Sequence, residues 1–132
     1  MTAFFSLNAI KGLALGRFYT SFPGVLSDRY QLNAQGINTQ SGTAYTLLAS
    51  DNGMVISFTN SSAIALTVPS GLGAGFSCSI VQNGAGQVTV AAGTGATLRL
   101  RGSTNKTGGQ YAIASLLSVV ANEYILAGDT ST

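Results

Sequence analysis

The sequence contains no histidine and little charge. Its 132 residues include six Lys or Arg and four Asp or Glu, so charged residues make up 8% of the chain, against about 25% in typical soluble domains. Without histidine, neither a Ser-His-Asp triad nor an imidazole metal site can form. The surface must therefore consist of neutral polar residues or be covered by other chains. The net charge of +2 is too small to indicate nucleic-acid binding.

Acidic residues are too few and too scattered to predict carboxylate catalysis. The four are Asp28, Asp51, Glu123 and Asp129. Each lies in a predicted turn or tail, whereas paired-carboxylate catalysis needs two of them together in a cleft. The glycine-rich segment 71–75 is followed by no predicted helix whose N-terminus could hold a phosphate. The sequence thus predicts no catalytic residue, no metal ligand and no cofactor.

Cysteine and long apolar runs are also scarce. Cys78 is the one cysteine, so no disulfide can form within the chain. It lies on the apolar face of a predicted strand, where we expect it to act as a small buried hydrophobic residue. No apolar run approaches the roughly 20 residues of a membrane-spanning helix. Residues 1–7 lack the positive charge that opens a signal peptide, which predicts synthesis in a cytoplasm and no membrane association.

The clearest strand pattern lies in the middle of the chain. Large apolar side chains recur at every second residue in 54–59 and in 63–68, which is the period of a strand with one buried face. Asn60-Ser61-Ser62 interrupts the pattern and predicts a β-hairpin. The segments 76–80 and 88–90, joined by a glycine-rich turn, predict a second hairpin.

The remaining predicted strands follow at similar intervals. They are 43–48, 96–101, 110–120 and 124–127. The segment 110–120 is so continuously apolar that burial on both faces is expected, whereas 102–109 predicts a long exposed loop. Residues 49–53 predict a turn or a single helical turn, with Gly53 at a positive φ. Short strands separated by turns at about 8–12 residues are typical of a sandwich or barrel, so we expect an all-β, antiparallel β-sandwich or barrel domain over 43–132.

Residues 1–42 differ from the rest of the chain. Large apolar side chains crowd this segment, but glycines interrupt it, and each costs roughly 1 kcal/mol inside a helix. We expect an extended N-terminal arm and linker that becomes ordered by packing on a neighbouring molecule. An extra strand added to the domain's own sheet is the alternative. The polar segment 37–42 predicts a turn at the boundary. The candidate partner-binding residues of the arm are Phe4, Phe5, Leu7, Ile10, Arg17, Phe18, Tyr19 and Phe22.

Three basic residues are further candidates for partner contacts. Arg99 and Arg101 alternate along one predicted strand, and Lys106 follows in the next loop. They could bind acidic groups, a sugar or a phosphate on a partner, or they could be solvated charges that keep an edge strand from aggregating. No aromatic residues are interleaved with them to stack on bases, so nucleic-acid binding is not expected.

Several short motifs together resemble a known family. They are Tyr45-Thr46-Leu47, Asp51-Asn52-Gly53, Val55 to Asn60, Ala63 to Pro69, Ile80 to Val90, Gly109 to Ala112 and Tyr124 to Asp129. In this combination they resemble a small β-domain that recurs in structural proteins of tailed bacteriophages, in head decoration or fibre proteins and in tail proteins. The resemblance spans 45–129 and leaves 1–42 unmatched. The resemblance implies a non-enzymatic, trimeric structural module. The family has no catalytic residues that could be assigned to positions of this sequence.

The resemblance and the composition predict a place on the virion. The first hypothesis is a capsid cement or decoration protein, a homotrimer on the capsid surface whose apolar arm binds the major capsid protein. The alternative is a tail-fibre or tail-tip component that recognises host surface glycan, with Arg99, Arg101 and segment 102–109 at its distal end. An enzyme acting on polysaccharide is disfavoured by the positions of the carboxylates.

Overall fold

Residues 36–132, the part of the chain that the computed structural model describes, fold into β-strands joined by tight turns. The strands are β1 (Ile37–Gln40), β2 (Ala44–Thr46), β3 (Val55–Phe58), β4 (Ile64–Val68), β5 (Ser77–Gln82), β6 (Val88–Ala92), β7 (Thr97–Leu100), β8 (Lys106–Thr107), β9 (Ile113–Val120), β10 (Glu123–Gly128) and β11 (Thr130–Ser131). One 3₁₀ turn, Ala49–Asp51, follows β2. These residues contain no α-helix, so the predicted all-β class is confirmed for this part of the chain.

The strands form two sheets. The six-stranded sheet has the order β1-β3-β5-β9-β10-β7, and the five-stranded sheet has the order β11-β8-β6-β4-β2. From β1 to β6 the chain alternates between the sheets, adding one strand to each in turn. Successive strands within a sheet are parallel: Ile37 pairs with Val55 and Val55 with Ser79, while Ala44 pairs with Ala65 and Ala65 with Thr89. This part of the chain therefore winds as a short β-solenoid-like stack of coils.

The turns between the two sheets are stacked as well. The Asn60 side chain donates a hydrogen bond of 2.8 Å to the Ser41 carbonyl one coil earlier. The Gly86 amide donates one of 2.9 Å to the Asn60 carbonyl. Each of these turns therefore gives a hydrogen-bond partner to a backbone group of the turn beside it, as buried or crowded backbone groups require.

The predicted hairpins are wrong, and so is a purely antiparallel architecture. β3 and β4 lie in different sheets, as do β5 and β6. The antiparallel pairs are β5 with β9, β9 with β10, β6 with β8, and β8 with β11. A hairpin and an arch between sheets both bury every second residue, so an alternating pattern cannot distinguish them.

The core lies between the two sheets and follows the predicted alternation. Ile64, Leu66 and Val68 of β4 point inward, as predicted. Phe76, Cys78 and Ile80, which were expected to share an apolar face, are likewise buried, with Cys78 5% exposed. The other large buried apolar side chains are Leu47, Ile56, Phe58, Val88, Val90, Leu116, Tyr124 and Leu126.

Three expectations about individual segments need correction. β9 is not buried on both faces, because Leu116 and Ser118 face the core whereas Ile113, Leu117 and Val119 are exposed. The segment 37–42 is not only a turn, since its first four residues form β1 at the edge of the six-stranded sheet. The predicted loop 102–109 contains β8, whose Thr107 is buried.

Candidate interaction surfaces

The predicted arm contacts lie outside the described residues. They are Phe4, Phe5, Leu7, Ile10, Arg17, Phe18, Tyr19 and Phe22. Their role in binding a partner therefore stays a prediction.

The structure places the three predicted basic contacts on different elements. Arg99 lies on β7 at the edge of the six-stranded sheet, Arg101 is exposed just after that strand, and Lys106 lies on β8 in the five-stranded sheet. Arg99 also pairs with Glu123 of β10, with 3.5 Å between Nη2 and Oε2. Both partners are solvent-exposed, so this ion pair contributes little to stability.

Asp51 is a buried acidic residue, 2% exposed, whose carboxylate accepts three hydrogen bonds. Its Oδ1 accepts a hydrogen bond of 2.8 Å from the Asn38 amide. Its Oδ2 accepts one of 2.7 Å from the Tyr45 hydroxyl and one of 2.9 Å from the Leu48 amide. Asp51 lies in the predicted turn, but its carboxylate is buried and not exposed to solvent. Three donors replace water around it, as a buried charge requires.

The environment of Asp51 also affects two neighbouring acids. Burial, and then the hydrogen bond to Asp51, raises the pKa of the Tyr45 hydroxyl. Burial, and then the charge of Asp51, raises the pKa of the Cys78 thiol to about 12. At neutral pH Cys78 is thus a protonated, buried thiol, and the thiolate needed for nucleophilic chemistry does not form.

A second buried polar cluster joins the two sheets. Thr107 of β8 donates a hydrogen bond from its hydroxyl to the side-chain oxygen of Gln82 on β5. The same hydroxyl accepts one of 2.9 Å from the Val88 amide. The Gln82 amide group donates to the carbonyls of Gly84 and Ala85 at 3.3 Å each. The members of this cluster satisfy one another, so we interpret it as structural.

The described carboxylates lie on different elements. Asp51 is buried, Glu123 pairs with Arg99, and Asp129 follows β10. Within residues 36–132, no group of three or more His, Cys, Asp or Glu side chains could hold a metal ion. No helix in this part of the chain is long and apolar enough to span a membrane.

The two sheets present very different outer surfaces. On the five-stranded sheet, small residues such as Ala44, Ala65 and Thr89 follow one another across the strands. On the six-stranded sheet, large apolar side chains are exposed, and we call this surface the outer apolar face. Its exposed large residues are Ile37, Ile113, Leu117, Val119, Val120 and Ile125.

Sequence reasoning missed the outer apolar face although its signal was present. The continuous apolar run at 110–120 predicts a strand that is buried on both faces. In the structure, one side of that strand meets the core and the other meets solvent. An exposed apolar patch of this kind usually marks an interaction surface.

Comparison with known proteins adds no family assignment. A scan against protein-family models found no match, and a search of curated proteins found no similar sequence.

Proposed function

We propose that this chain is a non-enzymatic structural protein of a bacteriophage virion. Its most specific form is a capsid cement or decoration protein: a homotrimer, made in the host cytoplasm, that binds and stabilises the shell of the major capsid protein. The observation that carries the proposal is the outer apolar face, on a domain that has few charges. An exposed apolar surface of this kind usually marks a place where another protein binds, because covering it removes apolar groups from water.

The chemistry of the described residues also supports a structural role. The polar side chains that are buried in the described residues, Asp51, Gln82, Thr107 and Ser118, all form hydrogen bonds with neighbouring protein groups. A catalytic carboxylate must instead leave an oxygen free to meet the substrate. The motif resemblance to phage structural proteins supplies the context of the virion.

A binding assay with viral shells tests this proposal. The purified full chain is mixed with shells assembled from the major capsid protein of a phage that encodes it, and the shells are sedimented. We expect saturable co-sedimentation and an increased shell melting temperature, because a cement protein adds contacts between shell subunits. No binding at any chain concentration would contradict the proposal.

The predicted arm contacts are tested in the same assay. The variant Phe18→Ser/Tyr19→Ser should weaken shell binding, because each substitution removes an aromatic side chain of the kind that dominates interfaces. Ser21→Ala, a substitution of a small polar residue in the same segment, serves as the matched control. If the double variant binds as well as the control, the arm is not the contact with the shell.

The alternative, recognition of host glycan by a tail component, predicts a different result. It requires saturable binding to cell-surface polysaccharide and loss of that binding in Arg101→Ala. Arg101 is the informative position because Arg99 already pairs with Glu123. Glycan binding together with absence from isolated heads would replace the cement hypothesis.

A further inference from the structure

The outer apolar face is uncharged at its centre. Among residues 36–132, the charged side chains on the six-stranded sheet are Arg99 and Glu123. They lie on β7 and β10, the last two strands at one edge, and they pair with each other. The strands β1, β3, β5 and β9 of this sheet carry no charged residue.

An uncharged centre suits contact between identical chains. Around a symmetry axis, each residue near the axis meets its own copies. A lysine or glutamate there would face a like charge, and close like charges repel strongly when water is removed. A partner with a different sequence imposes no such restriction and is usually matched by complementary charges. The neutral face therefore favours a second copy of this chain over a charged partner.

The shape of the outer apolar face also favours packing against the same face of a second copy of the chain. Leu117 is directly opposite Ile125 on the neighbouring strand, and together they form a raised apolar pair. Two residues earlier, Ser115 is opposite Ala127 on one side and Ser79 on the other, which leaves a shallow strip of small side chains. A raised pair beside a shallow strip lets the same surface provide both the projection and the recess of an interface.

The large residues of the face are concentrated on two neighbouring strands. Ile113, Leu117, Val119 and Val120 lie on β9 and Ile125 lies on β10, whereas Ile37 lies on β1 at the opposite edge. The strands between them, β3 and β5, present smaller outward residues such as Ser57 and Ser79. The five-stranded sheet, with its small and hydroxylated outer residues, offers no comparable apolar surface.

We infer that the outer apolar face is the contact between copies of this chain. The inference deepens the homotrimer of the proposed function and rests on it only for the number of copies. It leaves the predicted arm to contact the shell. The exposed residues Ile113, at 57%, and Leu117, at 43%, are then buried only in the assembled oligomer.

Analytical ultracentrifugation of the full chain over a range of concentrations tests the inference. The wild type should sediment as an oligomer. Leu117→Glu should weaken self-association by about 30-fold or more, as expected when a charge replaces an apolar anchor of an interface. Ile113→Glu should do the same, and it provides a second test if Leu117→Glu fails to fold. Ala65→Glu, at an exposed position on the five-stranded sheet, is the matched control and should assemble as the wild type does.

Two outcomes would overturn the inference. One is a wild type that stays monomeric at every concentration, which would mean that some other surface covers the face. The other is a folded Leu117→Glu or Ile113→Glu variant, with a wild-type circular dichroism spectrum, that assembles as well as Ala65→Glu.

Shell binding separates this inference from the proposed function. A Leu117→Glu variant that remains an oligomer but no longer binds shells would assign the face to the capsid, so the inference would fail and the proposed function would stand. A wild type that assembles through this face but binds no shell would support the inference and contradict the cement role.

Discussion

The Tyr45 hydroxyl donates a hydrogen bond of 2.7 Å to the buried carboxylate of Asp51, six residues later in the chain. Asn38 of β1 donates to both groups, at 2.9 Å to the tyrosine oxygen and at 2.8 Å to the carboxylate. These bonds connect the first strand of each sheet to the 3₁₀ turn. The geometry of the first coil therefore depends on one buried charge and its donors.

We predict that Tyr45→Phe lowers the free energy of unfolding by about 1–3 kcal/mol. The substitution keeps the ring but removes one of the three donors to the buried carboxylate, and a hydrogen bond to a charged group contributes about 1.5–3 kcal/mol. Urea denaturation followed by circular dichroism measures the change. Tyr111→Phe is the matched control, because the Tyr111 side chain is 70% exposed. Equal unfolding midpoints for the two variants would show that the hydrogen bond from Tyr45 to Asp51 does not contribute to stability.

The stacked turns make a second prediction. At Gly86, an added Cβ would overlap the Ser62 carbonyl oxygen and lie 2.7 Å from that of Asn60. Backbone oxygens of a neighbouring coil cannot move aside without disturbing that coil. Gly86→Ala should therefore destabilise the chain by about 1–3 kcal/mol, as overpacking typically does.

Gly102→Ala provides the comparison for this substitution. A Cβ at Gly102 meets no atom within 4 Å, so its melting temperature should stay close to that of the wild type. If the turn at 60–62 and the turn at 84–86 belonged to two separate hairpins, they would not be stacked on each other. Gly86→Ala would then lower the melting temperature only slightly. Equal melting temperatures for the two alanine variants would contradict the coil arrangement.

The core could be predicted from the sequence because its pattern is local. Ile64, Leu66 and Val68 are buried as their two-residue spacing indicates, since alternation is a property of any extended backbone. The turn before β3 was also predicted, and Gly53 has the expected positive φ of 77°. The pairing of strands is not local. A short turn leads either to a hairpin or to an arch, and the apolar pattern is the same in both.

The candidate surfaces could be predicted only in part. An apolar run such as 113–120 shows that both faces of a strand carry apolar side chains, but not whether the second face is covered. The burial of Asp51 was missed because it depends on Asn38, which is 13 residues away in sequence. The placement of Lys106 in a strand was missed because β8 has only two residues, too few to show a period.

The raised pKa of the Cys78 thiol leads us to predict that the protein loses stability at alkaline pH. The pKa of this thiol is raised from 9.0 to about 12 in the folded protein, so the unfolded chain releases this proton first. The contribution of the thiol to stability is therefore complete below pH 9 and is lost as the pH rises from 9 towards 12. Tyr45, whose pKa is also raised, contributes in the same direction above pH 10.

Denaturation of wild type and Cys78→Ala at several pH values between 7 and 11 measures this effect. At pH 7 the variant should be less stable, because a buried side chain is truncated. The difference should narrow as the pH rises above 9, since the variant has no thiol to ionise. The same narrowing should be seen when Cys78→Ala is introduced into Tyr45→Phe and the two are compared, because it does not depend on the tyrosine hydroxyl. A difference that is constant with pH would show that the thiol ionises equally in both states.

The buried Thr107 gives the last prediction. Its hydroxyl is the partner of both the Gln82 side chain and the Val88 amide, which belong to different sheets. Thr107→Val keeps the shape of the side chain but leaves both groups without that partner, and each such group costs about 1–3 kcal/mol. Thr89→Val, on the outer side of β6, is the matched control and should be close to neutral. Hydrogen exchange of the Val88 amide locates the effect, because in Thr107→Val this proton should lose protection more than those of the neighbouring core strands. If its protection is unchanged while the control is neutral, the bridge between the sheets does not depend on this hydroxyl.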